Sequence, residues 1–142
     1  MAQSTYNARV LVLRKTKLRE SDLILSLLAQ DGSQIRAVAK GARKPSSQFS
    51  SRLELYSQAD VLLAQGRSLD IVKEARLVTG NAALRESIEL SACAAPIVEL
   101  LDRITQPGLE VPKLFPLTQT ALDVLASADS AHGPAICAAW LL

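Results

Sequence analysis

Apolar and polar positions change their period once along this chain, near residue 80. Residues 6–13 (YNARVLVL) are rich in apolar and β-branched side chains and lack helix punctuation, which predicts a strand. Residues 22–28 (DLILSLL) fit a strand or a helix on apolar content alone. The following segment decides between them: Asp31-Gly32 is a hairpin turn signal, and residues 34–40 (QIRAVAK) alternate in period two. Ile35, Ala37 and Ala39 then face one way and Arg36, Val38 and Lys40 the other, and a strand paired through that turn makes 22–28 a strand as well. Residues 41–51 (GARKPSSQFSS) read as a mobile loop. An extended stretch over 53–63 meets the turn signal Gln65-Gly66 and returns over 69–77. Five strands in so short a span, with no helix between them, must share one apolar face and cannot leave long edges bare. A small closed or nearly closed β-barrel satisfies both demands.

Beyond residue 80 the period becomes helical. Asn81 is placed to cap a helix whose Leu84, Ile88, Ala92 and Ala95 share a stripe, and Pro96 either kinks that helix or opens another. Ile97, Leu100, Leu101 and Ile104 recur at i, i+3, i+4 and i+7, and Gln106-Pro107-Gly108 ends the run. Pro112 starts a further helix with Leu114, Leu117, Ala121, Val124 and Ala128 as its buried stripe, and a last one begins near Pro134. The final residues, Ala-Ala-Trp-Leu-Leu, carry no terminal glycine or basic turn, so the helical part reads as cut short. The expected organisation is a barrel over residues 1–80 and the start of a helical domain over 81–142, α+β overall.

Charge sharpens this division. The net charge of +2 hides 13 Lys and Arg against 7 acids in residues 1–80, a balance of +6, and 3 against 7 in residues 81–142, a balance of −4. The first half is the one whose field attracts a polyanion. Ten of its bases fall between Arg9 and Arg52, opposed only by Glu20, Asp22 and Asp31. Arg14, Lys15, Lys17 and Arg19 are assigned to the connection between the first two strands, and Lys40, Arg43 and Lys44 to the next long loop. With Arg36 and Arg52 they form the candidate phosphate contacts. Gly41 either lets a phosphate approach the main chain or serves as a plain turn residue.

Aromatic residues are 4% of the chain, so base stacking is a minor contribution. Tyr6 and Tyr56 fit a core with a bonded hydroxyl, which leaves Phe49, in a polar loop, as the candidate stacking platform. No catalytic constellation is visible: His132 is the single histidine and lies in a loop, and Cys93 and Cys137 read as buried reduced thiols. No apolar run reaches 18 residues and the first residues do not resemble a secretory signal, so a cytoplasmic protein without membrane attachment is expected.

Three stretches, Arg19-Glu-Ser-Asp-Leu-Ile-Leu25, Ala37-Val-Ala-Lys-Gly-Ala-Arg-Lys-Pro45, and Gln65-Gly-Arg-Ser-Leu69 with Ile71-Val-Lys-Glu-Ala75, resemble in order and spacing the RecO family of bacterial DNA repair proteins. The resemblance implies an OB-fold barrel, a helical domain and a four-cysteine zinc site that would lie beyond Leu142. Neither Cys93 nor Cys137 matches those cysteines, so no cofactor is expected within these residues. It further implies binding of single- and double-stranded DNA, strand annealing, and work with RecR, RecA and the single-stranded DNA-binding protein, the last docking on the helical domain. Lys40, Arg43 and Lys44 fall on the family's basic segment and inherit a DNA-contact role, and Arg14, Lys17 and Arg19 inherit it more weakly. Charge alone leaves RNA open as a ligand, since phosphate contacts do not distinguish the sugars.

Overall fold

The computed structural model describes residues 4–127. Five strands, β1 (Thr5–Leu18), β2 (Asp22–Ala29), β3 (Gln34–Ala39), β4 (Gln58–Ala64) and β5 (Asp70–Thr79), close into a barrel in the order β1-β2-β3-β5-β4. Neighbouring strands run antiparallel, apart from the seam between β3 and β5, which is parallel and pairs only Ala37 with Asp70 and Val38 with Ile71. Three helices follow: α1 (Ala82–Glu86), α2 (Ile88–Ile104) and α3 (Leu114–Ser127). This is the α+β arrangement of a small barrel followed by helices that the periodicity predicts.

Alternation along β1 and β2 builds two cores at once. Val10, Val12, Leu25, Leu27, Ala37, Ala39, Val61 and Leu63 fill the barrel, whereas Leu11, Leu13 and Leu28 point outwards and pack with Leu90, Ile97, Leu101, Phe115, Leu122 and Leu125 of the helices. At about 1.5–3 kcal/mol for each fully buried large apolar side chain, the outer layer holds the helices firmly against β1 and β2. The predicted hairpin is present. Gly32 adopts φ +85°, and Asp31 Oδ1 accepts from the Ser33 amide at 2.8 Å. A β-carbon on Gly32 would also stand 1.9 Å from the Val111 carbonyl oxygen, so the tip fits under the α2–α3 connection only as glycine.

Several expectations are corrected. β1 runs on to Leu18, so Arg14, Lys15 and Lys17 are strand residues rather than part of a connection, and only Arg19 lies in the turn. The extended stretch over 53–63 shortens to β4, because residues 50–56 form turns that carry Leu53 into the barrel core. The 41–51 loop is folded by successive short-range bonds (Ala42 to Ala39, Lys44 to Gly41, Ser47 to Lys44, Leu53 to Phe49) and anchored by Ala42 and Phe49 in the core.

In the helices the predicted stripes hold at Leu84, Ile97, Leu101 and Ala121, which are buried, and fail at other positions. Ser87 interrupts the run and caps α2 by accepting from the Leu90 amide, so Ile88 is 85% exposed and the buried stripe is Leu90, Cys93, Ala94, Ile97, Val98 and Leu101. Leu100, Ile104, Leu117 and Val124 are exposed. α3 buries Phe115, Thr118, Ala121, Leu122 and Leu125, and begins at Leu114 rather than at Pro112. Asn81 holds the cap position of α1 without a side-chain cap, its Nδ2 donating to the Tyr56 carbonyl instead. Of the two readings of Pro96, a new helix is excluded: it sits within α2, on its exposed side. Cys93 is buried as expected. Ala128, His132, Cys137 and the helix expected near Pro134 lie outside the described residues. Among the described residues no helix is long and apolar enough to cross a membrane.

Candidate nucleic-acid interface

The turn after β1 and the loop after β3 meet at one end of the barrel, and backbone chemistry holds them together. The Arg43 amide donates to the Ser21 carbonyl at 2.9 Å, its guanidinium donates to the Arg19 carbonyl at 3.1 Å, and the Gly41 amide donates to Asp22 Oδ1 at 2.8 Å. These bonds gather Arg19, Lys40, Arg43 and Lys44, all exposed, on one rim. Gly41 is therefore a turn residue, at φ +69°, with its amide already committed to a carboxylate rather than offered to a phosphate. Arg19 also adopts a left-handed conformation, at φ +56°, a geometry that costs a residue with a β-carbon about 1–2 kcal/mol.

From this rim the outward faces of β1, β2 and β3 form a wall. Cross-strand register sets Thr16 beside Ile24 and Ile24 beside Val38, and one step further Arg14 beside Ser26 and Ser26 beside Arg36. Ile24 and Val38 are half-buried, and Thr16, Arg36 and Lys40 are exposed. The wall therefore offers a short apolar floor between the rim cations and Arg14 and Arg36. Lys15 and Lys17 stand on the other side of β1, opposite Leu25 and Leu23, and Lys17 borders the rim from there.

Ion pairing divides the predicted cations. Lys15 is 3.2 Å from Glu54 and Arg14 is 3.5 Å from Asp102, whereas Lys17, Arg19, Arg36, Lys40, Arg43 and Lys44 form no ion pair among the described residues. Arg52 is drawn towards β5, where its guanidinium donates to the Ala75 carbonyl at 3.3 Å, and it does not join the rim. Away from the rim, Arg9 and Arg76 both bond Asp60, at 2.8 and 2.9 Å, and hold its carboxyl down at about 2.

Phe49 does not supply a stacking surface. The residue is 6% exposed and packs in the barrel core, because the turns of the 41–51 loop fold it inwards. Tyr56 is buried and Tyr6 half-buried, with the Tyr6 hydroxyl bonded to Asp70. Burial pushes both phenols up, and the Asp70 carboxylate raises Tyr6 further. The residues that sequence reasoning overlooked are Thr16, Ile24, Val38 and Asp102. The period-two reading of 34–40 had already placed Val38 on the face of Arg36 and Lys40, and that was the available signal for the floor. Among the described residues no group of three His, Cys, Asp or Glu side chains is placed to hold a metal.

Comparison with known proteins adds a second line of information. Residues 1–81 match the model described as Recombination protein O N terminal, and residues 85–142 match Recombination protein O C terminal. The chain is 38% identical over 126 residues to a DNA repair protein RecO of Desulfitobacterium hafniense, covering 89% of this chain and 46% of that protein. It is 39% identical over 133 residues to the protein of that name in Bifidobacterium longum, covering 92% and 55%. Over 132 residues it is 38% identical to that of Cutibacterium acnes, covering 92% and 53%. The chain thus spans about half the length of these curated relatives.

Proposed function

Since this chain belongs to the RecO family, we propose that it is the DNA-handling part of a non-catalytic DNA repair and recombination mediator. In this reading the barrel binds single-stranded DNA without reading its sequence, and the whole protein anneals complementary strands and, with RecR, promotes RecA loading. It acts in the cytoplasm and sits on the nucleoid when bound to DNA. The observation that carries the reading is the rim. Topology brings Arg19, Lys40, Arg43 and Lys44 together at the edge of an open three-stranded wall, with no carboxylate pairing any of them among the described residues.

Such a surface suits phosphates better than bases. It has cations and an apolar floor but no exposed aromatic ring among its residues, so affinity comes from the backbone of the strand and is sequence-tolerant. With about five phosphates neutralised, the logarithmic salt slope is roughly −3.5, a loss of about a hundredfold between 50 and 200 mM salt. Reversing Lys40, Arg43 and Lys44 to Glu removes three contacts at about 0.7 each and flattens the slope to roughly −1.4. Fluorescence anisotropy with an unstructured oligonucleotide measures this. Wild-type affinity in the triple variant at low salt rejects the reading, and competition between matched DNA and RNA strands decides the sugar.

The alternative, a module whose helices dock the acidic tail of the single-stranded DNA-binding protein, draws less support from the described part. There Glu86, Glu89, Glu99, Asp102, Glu110 and Asp123 outnumber Arg85, Arg103 and Lys113, a balance that repels an acidic peptide.

A further inference from the structure

We infer that Asp102 of α2 is an internal counter-ion that competes with nucleic-acid phosphate for Arg14, and so sets how tightly the strand is held at this edge of the barrel wall. The inference rests on the proposed nucleic-acid reading and adds a determinant that lies outside the rim.

β1 shifts its pairing with β2 between Val12 and Arg14, leaving Leu13 as an extra residue. Such a bulge interrupts the strict alternation of faces and re-aims a side chain. Leu13 packs outwards among the helices and Arg14, opposite outward-facing Ser26, also lies outwards, towards α2. Without the bulge a residue following Leu13 would turn to the barrel side. The sequence therefore places Arg14 in one row with Ser26 and Arg36, on the wall that leads to the rim, and within reach of a helix.

The carboxylate it meets is held in place. Gln34 is buried, and its Nε2 donates to the Asp102 carbonyl at 2.9 Å and reaches Asp102 Oδ1 at 3.4 Å, while Asp102 Oδ2 faces Arg14 at 3.5 Å. The Asp102 side chain is only 17% exposed and that of Arg14 is 65% exposed. The anion is fixed and the cation is open to solvent, so a phosphate can approach Arg14 but must share it. Among the described residues Asp102 is the one acid that forms an ion pair with Arg14, Arg36 or a rim cation. Asp22, at the rim, is instead committed to the Gly41 amide. Glu99 lines the same groove between α2 and the barrel as Arg14 and Asp102, together with Lys15 and Arg103, so Asp102 is not the sole charge near Arg14 but is the carboxylate paired with it.

The test uses the full chain and an unstructured oligothymidylate. Asp102→Asn keeps the shape and the backbone carbonyl that Gln34 uses but removes the charge. Released to a phosphate, Arg14 adds one contact. Affinity rises about fivefold at 50 mM salt and the salt slope steepens by roughly 0.7. In the Arg14→Gln background the same change gives no gain, because the cation it would release is absent. Asp102→Ser, with melting temperature measured for every variant, repeats the test if the asparagine variant folds poorly. Unchanged affinity in Asp102→Asn and Asp102→Ser, or a gain that persists without Arg14, overturns the inference while leaving the rim intact. A wild-type chain that fails to bind at low salt instead removes the nucleic-acid reading, and this inference with it.

Discussion

On one side of the barrel Arg9 and Arg76 converge on Asp60, with hydrogen bonds of 2.8 and 2.9 Å, while at the rim Arg19, Lys40, Arg43 and Lys44 have no ion-pairing carboxylate among the described residues. The two places use the same residue types in similar strand and turn settings. They differ in register. Arg9, Asp60 and Arg76 are direct cross-strand partners on β1, β4 and β5, so their charges meet by construction. At the rim the one nearby aspartate, Asp22, caps a backbone amide instead of a cation. Positive charge is therefore available to a ligand according to where the acids fall in the ladder, and not according to how many bases a segment carries.

The rim reading is broken most severely through its apolar anchor. Phe49→Ala removes a ring buried in the barrel core and lowers stability by about 3–5 kcal/mol in chemical denaturation, while oligonucleotide affinity per folded molecule stays within about twofold. A stacking role for Phe49 would reverse that pattern, with stability kept and affinity lost. A smaller effect separates rim from side wall. Arg19→Gly relieves the left-handed strain at φ +56° and raises stability by about 1 kcal/mol, yet flattens the salt slope by roughly 0.7. Arg76→Ala on the side wall leaves the slope unchanged. Equal slopes in these two variants would erase the distinction between the regions.

The smallest effect concerns pH. Asp60 is lowered from 3.8 to about 2 by its two arginines. Its contribution to stability is complete above 3.8 and is lost as pH falls towards 2. Thermal melting of the wild type declines across that window more steeply than melting of Asp60→Asn, and parallel curves would show that the pairing contributes nothing.

The hairpin and barrel were legible because Asp31-Gly32 names its turn and residues 34–40 alternate without interruption. The end of β1 was not, since past the barrel the strand is wet on both sides and Arg14-Lys15-Thr16-Lys17 has no alternation to read. Helix phase was only half legible, for two reasons. Ser87 resets the register between Leu84 and Ile88, which sit four residues apart and look like one stripe. α3 is apolar on two faces, Leu117 and Val124 on one and Phe115, Leu122 and Leu125 on the other, so periodicity could not choose between them. For the site, sequence supplied the identities of the cations but not their partners. Asp102 lies far along the chain from Arg14, and only the fold brings them together.

Strands β1 and β2 face two cores, which gives the barrel a dependent character. Leu11, Leu13, Leu28 and Tyr56 are covered from outside by α1–α3 and the residues joining them. A piece severed after β5 would expose these four side chains to water, three on β1 and β2 and one in the turn before β4, and would tend to self-associate through them. The barrel and its helices thus share one dry interface, even though the chain's charge divides cleanly between them.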